Sequence, residues 1–172
     1  MMNVENFDRL YSKHYGEIYR FCTKLVKNRQ EAEDLTDEAF VKAYYHFDPD
    51  QKTSFRTFIF KIARNLCLDH YKSRKYQENE CTDIMDADLF VDDSLETNGE
   101  LLQQELMEIL HQCLDKLTDE EKLSIRFHFI EQFAYREIAD IIDKSTSTVK
   151  NRVESGLKNL KECLRENGII GS

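Results

Sequence analysis

Apolar positions recur at three- and four-residue steps along most of this chain, and each run ends at a polar or turn-forming cluster. That period is the helical one. Phe7, Leu10, Tyr11, Ile18, Phe21, Cys22 and Leu25 mark a first helix from about Asn6 to Val26. Asn28, with Glu31 three positions on, has the form of a capping box. It opens a second helix that turns Ala32, Leu35, Ala39, Phe40 and Ala43 inward. Asp48-Pro49-Asp50 ends that helix, because proline cannot continue it and aspartate favours turns. Thr53 or Ser54 caps a third helix with an apolar stripe of Phe55, Phe58, Ile59, Ile62, Ala63 and Leu66. Three antiparallel helices with short connections predict a bundle ending near Lys75.

Periodicity then stops. Residues 76–99 are polar and acidic with a few isolated hydrophobes, and such a stretch buries too little area to offset its ordering entropy. A flexible linker is predicted there. The helical period resumes near Glu100 with Leu102, Leu106, Ile109, Leu110, Cys113, Leu114 and Leu117. Thr118 and Glu121 form a second capping box, and the helix behind it reaches about Glu131. From Tyr135 to Leu164 the pattern is two helices about a tight turn. The first has Ile138, Ala139 and Ile142 on one face; the second has Val149, Val153, Leu157, Leu160 and Leu164. Asp143-Lys144-Ser145 lies between them, and Thr146, Ser147 and Thr148 open the second helix, where hydroxyls cap backbone N–H groups or meet phosphates. This is the layout of a helix-turn-helix whose second helix enters a major groove. A helical hairpin with a solvated basic face is the plain alternative. No alternating run predicts a sheet. The expectation is an all-α chain of two small helical domains, a three-helix bundle over 1–75 and a helix-turn-helix domain over 100–172. An acidic flexible linker over 76–99 joins them.

Charge sharpens this division. The net charge of −9 argues against nucleic-acid binding only when read as one number, because the local field is what matters. Residues 1–75 carry 14 basic and 11 acidic side chains. Residues 76–112 carry 11 acidic side chains and no Lys or Arg, and residues 113–172 carry 10 basic and 11 acidic. From Lys144 to Arg165 six basic residues face two acidic ones. The segment Phe55–Lys75 adds Arg56, Lys61, Arg64, Asn65, Lys72, Arg74 and Lys75 with Tyr71 among them. That mixture suits a surface that tracks phosphates and holds unstacked bases, and it equally describes a solvated cationic face.

Other classes find little support. The chain has no Gly-rich phosphate loop, no GxSxG and no HExxH. Glu108 and His111 form one ExxH pair, but a di-iron bundle needs two. The five histidines are scattered and read as surface or half-buried residues. No catalysis, cofactor or metal is expected. Five cysteines without a CxxC pair fit free thiols in a reducing cytoplasm, several of them buried as small hydrophobes. No apolar stretch approaches the roughly 20 residues that span a bilayer, so no membrane insertion is expected.

Three segments, EAEDLTDEAFVKAYYHF, FRTFIFKIARNLCLDHYKSRK and LTDEEKLSIRFHFIEQFAYREIADIIDKSTSTVKNRVESGLKNL, occur in this order around the linker. With them the chain resembles RNA polymerase sigma factors of the extracytoplasmic-function (ECF) group, over roughly Phe7–Lys75 and Leu110–Leu164. The resemblance implies that the first domain is sigma region two. Asp34, Leu35, Glu38 and Phe40 would lie on the helix that docks the clamp helices of core RNA polymerase. Lys61, Arg64, Asn65, Tyr71 and Lys72 would face the minus-ten element of promoter DNA, and the loop His46–Ser54 would capture a flipped base. The second domain would be sigma region four, with Thr146, Ser147, Lys150, Asn151 and Arg152 at the minus-thirty-five element. The resemblance also implies an anti-sigma factor, a stress- or signal-responsive regulon and a bacterial cytoplasm. The linker would thread the polymerase's nucleic-acid channel, where its charge either imitates a nucleic-acid backbone or only keeps the segment soluble.

This sequence departs from the family pattern in several places. Phe58 stands where tryptophan is frequent, and Thr118 where proline is. Asp143 stands in the helix-turn-helix corner, where glycine is common, with Ser147 just after it. Glu154-Ser155-Gly156 replaces a more basic run, and glycine within a helix costs about 1 kcal/mol against alanine. Two other readings compete: a free-standing helix-turn-helix regulator that binds DNA without polymerase, and an all-helical adaptor with no DNA role.

Overall fold

The computed structural model describes residues 2–78, 90 and 101–171, and every regular element among them is helical. The linker expected over 76–99 lies outside the described residues except at 76–78, which continue a helix, and at Phe90; Cys81 lies outside them too. The described chain forms two compact units.

In the first unit, α1 (Val4–Val26), α2 (Arg29–His46) and α3 (Phe55–Glu78) pack as a three-helix bundle. Polar caps set their ends. Asn3 accepts from the Glu5 N–H at 2.8 Å, so α1 starts two residues before the expected Asn6. Lys27 closes α1 in the left-handed region with φ 55°. Asn28 accepts from the Glu31 N–H at 3.0 Å and opens α2 as expected. Asp48 accepts from the Asp50 N–H at 2.9 Å and turns the chain at Pro49. Ser54, rather than Thr53, accepts from the Thr57 N–H at 3.2 Å ahead of α3.

The core of this unit holds Ile18, Phe21, Cys22 and Leu25 from α1, and Ala32, Leu35, Ala39, Phe40 and Ala43 from α2. From α3 it holds Phe55, Ile59, Phe60, Ala63 and Cys67. The three alanines keep the inner side of α2 shallow and leave room for aromatic rings. Phe40 takes that room, 4.8 Å from the Tyr11 ring and 5.8 Å from Tyr15, while Phe21 meets Phe60 edge-on at 5.3 Å. The buried line of α3 therefore runs 55, 59, 63, 67, with Phe60 beside it. Phe58, Ile62 and Leu66, expected inside, are only half-buried. His14 is another correction. Expected at the surface or half-buried, it is buried, and its ring bonds the Glu17 carboxylate.

The second unit contains α4 (Leu101–Asp115), α5 (Asp119–Ile125), a π-helical turn (Arg126–Ile130), α6 (Tyr135–Ile142) as far as Ala139, and α7 (Thr146–Glu166). Thr118 and Glu121 make the expected capping box: the Glu121 N–H donates to Thr118 Oγ1 at 3.1 Å, and the Thr118 N–H donates to Glu121 Oε2 at 3.0 Å. The helix behind it does not run regularly to Glu131. It widens into the π turn, where Arg126 is buried and donates to Glu131 Oε1 at 2.9 Å. The carbonyl of Phe127 accepts from the Phe133 N–H, and their rings meet edge-on at 5.9 Å, folding the chain back toward α6.

Two expectations for this unit change. Leu157 is exposed, and the inward position is taken by Gly156, so the buried line of α7 is Val149, Val153, Gly156 and Cys163. Cys113 and Cys163 are not free thiols but form a disulfide between α4 and α7. Their separation of 50 residues hides the pairing from any local motif. Cys22 and Cys67 are free and buried, as expected for small hydrophobes.

Candidate nucleic-acid interface

The turn before α7 is built from backbone demands. Asp143 adopts φ 53°, which lets the Lys144 N–H reach the Ala139 carbonyl at 3.1 Å and closes α6. Aspartate tolerates this left-handed conformation better than most residues, so the corner holds without glycine. Ser145 then caps α7, accepting from the Thr148 N–H at 3.1 Å, and its hydroxyl lies 2.9 Å from Thr148 Oγ1. Capping falls to Ser145 and engages Thr148, which leaves Thr146 and Ser147 exposed at the helix start.

Val149 and Val153 are fully buried and fix the rotation of α7. On its other side Thr146, Ser147, Lys150 and Asn151 are exposed, with Arg152 half-buried. Thr146 and Lys150, and likewise Ser147 and Asn151, are four residues apart and share a face. The five predicted residues of this helix thus gather in its first two turns, at a helix N-terminus whose dipole favours phosphate. Lys150 approaches Glu154 at 3.8 Å; both are exposed, and such a pair holds the lysine only weakly.

On α3, Lys61, Arg64, Asn65 and Tyr71 are half-buried and Lys72 is exposed. Helical spacing puts Lys61, Asn65 and Lys72 on one line with Arg64 and Tyr71 alongside. Arg64 Nη1 donates to Asn65 Oδ1 at 2.9 Å and orients that amide. Two other cations of this helix form ion pairs within the bundle. Arg56 forks onto Glu17 with contacts of 3.1 and 3.2 Å, its guanidinium 5.2 Å from the Phe60 ring centre, and Arg74 lies 3.4 Å from Glu31.

Glu17 is held by opposing effects. Burial raises its pKa, and donation from His14 and the Arg56 guanidinium outweighs that, so its carboxyl sits below the ordinary glutamate range. The loop between α2 and α3 is fastened by Phe47, whose ring lies 5.2 Å from Phe55 and 5.4 Å from Phe58. Phe58 therefore fills an aromatic role against the loop.

The four predicted residues of α2 separate. Asp34 and Glu38 are exposed, but Leu35 and Phe40 are 8% and 1% exposed and belong to the core. Leu35 and Phe40 shape the bundle and present no surface. Val41 and Tyr45, at 55% and 58% exposure, stand beside the two carboxylates on this helix. Steps of four, three and four residues align Asp34, Glu38, Val41 and Tyr45 along one outward face. Two large exposed hydrophobes next to carboxylates in a helical pattern were a readable signal.

Residues 10–76 match the Sigma-70 region 2 family, and residues 107–160 match Sigma-70 region 4. The chain is 29% identical over 157 residues to the ECF RNA polymerase sigma factor SigW of Bacillus subtilis, covering 87% of this chain and 84% of that protein. This chain is an ECF RNA polymerase sigma factor. As such it directs RNA polymerase to promoters and is not an enzyme. A second ECF sigma factor, SigM of the same bacterium, is 25% identical over 154 residues, covering 90% of this chain and 92% of that protein. The fold of this sigma factor is also that of the RpoE chain solved with the anti-sigma factor NepR from Bartonella quintana. The two agree with a TM-score of 0.69 at 19% identity, over 94% of this chain and 98% of that one. No helix among the described residues is long and apolar enough to cross a membrane.

Proposed function

We propose that this sigma factor acts in the bacterial cytoplasm, joins core RNA polymerase, and reads both promoter elements with the two helix faces described above. Residues 1–75 serve as region two, 76–99 as the acidic linker and 100–172 as region four. The outward face of α2 docks polymerase through Asp34 and Glu38, with Val41 and Tyr45 as the apolar part of the contact. Leu35 and Phe40 support that face from beneath. Lys61, Arg64, Asn65, Tyr71 and Lys72 engage the minus-ten element; the cations hold phosphates, and Tyr71 offers a ring to an unstacked base. Thr146, Ser147, Lys150, Asn151 and Arg152 engage the minus-thirty-five element in the major groove, and each well-placed bidentate base contact supplies about 1–3 kcal/mol of discrimination.

The observation that carries this reading is the start of α7. Buried Val149 and Val153 turn Thr146, Ser147, Lys150 and Asn151 outward together, at a capped helix end. An anti-sigma factor is the expected regulator, because the structurally similar RpoE was solved with one.

Run-off transcription with core polymerase on promoter fragments carrying candidate minus-ten and minus-thirty-five elements tests the proposal. Transcription should require the chain, both elements and polymerase. The chain alone should bind duplex DNA poorly, because its net charge of −9 opposes unassisted association. Tight sequence-specific binding without polymerase would instead identify a free-standing regulator.

A further inference from the structure

Cys113 and Cys163 link α4 to the last turn of α7 with their α-carbons 5.6 Å apart, across 50 residues of sequence. The ring so closed contains α5, the π turn, α6 and most of α7. Both residues are inside, at 1% and 5% exposure. Asn167, which caps α7, sits over the pair. Its Nδ2 donates to the Cys163 carbonyl at 2.8 Å and stands 3.9 Å from Cys113 Sγ and 3.8 Å from Cys163 Sγ.

The position of this link within α4 gives it a job. Leu101, Leu102 and Leu106 are 73%, 73% and 42% exposed, and the buried residues of α4 are only Cys113 and Leu114. The helix is thus anchored at its C-terminal end, and the disulfide is part of that anchor.

A protein that works with polymerase and DNA operates where small thiols keep cysteines reduced, and disulfides in such compartments are characteristically transient or redox-sensing. We propose that Cys113 and Cys163 form a reversible redox site that locks α4 onto the end of the recognition helix when oxidised and releases it when reduced. The inference rests on the cytoplasmic sigma-factor reading above.

The oxidant is a low-molecular-weight disulfide. Cys163, the more exposed of the two and one turn from the end of α7, attacks as a thiolate. It forms a bond to one sulfur of the reagent, whose own S–S bond breaks and releases one small thiolate. Cys113, as a thiolate, then attacks Cys163 Sγ and expels the second small thiolate. The two cysteine protons end on the two released thiols. The protein is oxidised by two electrons and the reagent is reduced by two. The Asn167 amide faces both sulfurs at hydrogen-bond distance and holds them side by side. Cys22 and Cys67, 0% and 1% exposed in the core of the other unit, provide an internal control.

The test equilibrates the full chain across ratios of reduced to oxidised glutathione, alkylates free thiols, and identifies cross-linked peptides by mass spectrometry. Hydrogen exchange and thermal melting follow on the same samples. The Cys113–Cys163 cross-link should form and vanish across the ratio while Cys22 and Cys67 stay alkylatable after unfolding. Oxidation should slow exchange in α4 by at least about tenfold and raise the melting midpoint of the second unit by on the order of 10 °C. C113S and C163S should show the fast exchange at every ratio, and C22S should leave the response intact. A pair that stays reduced in excess oxidised glutathione overturns the proposal. So does a cross-link that closes with no change in α4 exchange, a result the wild-type chain delivers even if the variants fail to fold. Run-off transcription on the same samples separates the two readings: a chain inert with polymerase in both states but thiol-responsive in α4 refutes the sigma-factor proposal and not the redox site.

Discussion

A β-carbon on Gly156 of α7 would lie 2.7 Å from Ile125 Cδ1 of α5 and 3.3 Å from Glu121 Cβ. This close approach lets Ser155 donate to Glu121 Oε1 at 3.0 Å, while the other oxygen of the same carboxylate closes the Thr118 capping box. Glycine here costs about 1 kcal/mol in helix propensity, and the packing between α5 and α7 offsets it. Gly156→Ala gains that propensity but overpacks a site with two tight neighbours, at a cost of about 1–3 kcal/mol. The net effect should be a lower denaturation midpoint with an unchanged m-value. Ile125→Val removes Cδ1, and the double variant should lose less than the two single losses added together. Simple additivity in a urea series would remove Gly156–Ile125 contact as the reason for glycine.

The Arg126–Glu131 pair lies at 6% and 11% side-chain exposure within the π turn. Burial pushes the Arg126 pKa down and Glu131 holds it up. Glu131→Gln leaves a buried guanidinium without its counter-charge and should cost about 3–5 kcal/mol, read as loss of the folded baseline in chemical denaturation. Replacing both members with apolar residues of similar volume should restore much of that loss. A Glu131→Gln midpoint equal to wild type would mean that the pair contributes nothing to the turn.

Acid should weaken the first unit by protonating Glu17. Its folded pKa is below the ordinary value of 4.5. The stabilisation is therefore complete above the unfolded value and is lost as the pH falls through the lower folded one. Wild type should show a steep loss of urea midpoint below about pH 4.5. Glu17→Gln should be less stable at pH 7 and flatter in the acid range. Parallel acid limbs for the two proteins would show that His14 and Arg56 do not favour the charged carboxylate.

Lys150 and Asn151 should separate affinity from sequence reading in the assembled holoenzyme. Lys150→Ala should weaken promoter complexes about equally on different minus-thirty-five sequences and lower the salt slope by about one. Asn151→Ala should cost about 1–3 kcal/mol on the preferred element and little on altered ones. Promoter-binding titrations at several salt concentrations measure both. Equal sequence preference in wild type and Asn151→Ala would place base reading elsewhere on α7.

Most of this fold was readable because its signals are local. The caps at Asn28 and Thr118, the break at Pro49 and the turn at Asp143 each depend on a handful of adjacent residues, and the structure has all of them. The buried valines of α7 were equally legible, and with them the residues on its opposite side. Errors of phase were the commonest. Leu157 was placed inside and Gly156 was read as a defect, because composition cannot show how closely α5 approaches. The spacing of Leu35 and Phe40 with Ala32, Ala39 and Ala43 marked them as core, and the structure buries them there.

Sequence by itself determined the helices, several of their caps, the helix-turn-helix and the sigma-factor assignment, since each rests on short-range pattern or on motif order. Tertiary structure alone decided the Gly156–Ile125 contact, the disulfide of Cys113 with Cys163 and the burial of His14 against Glu17. Helical periodicity states which residues share a face. The rotation of each helix against its neighbours, and the meeting of side chains 30 to 50 positions apart, follow from how the helices pack.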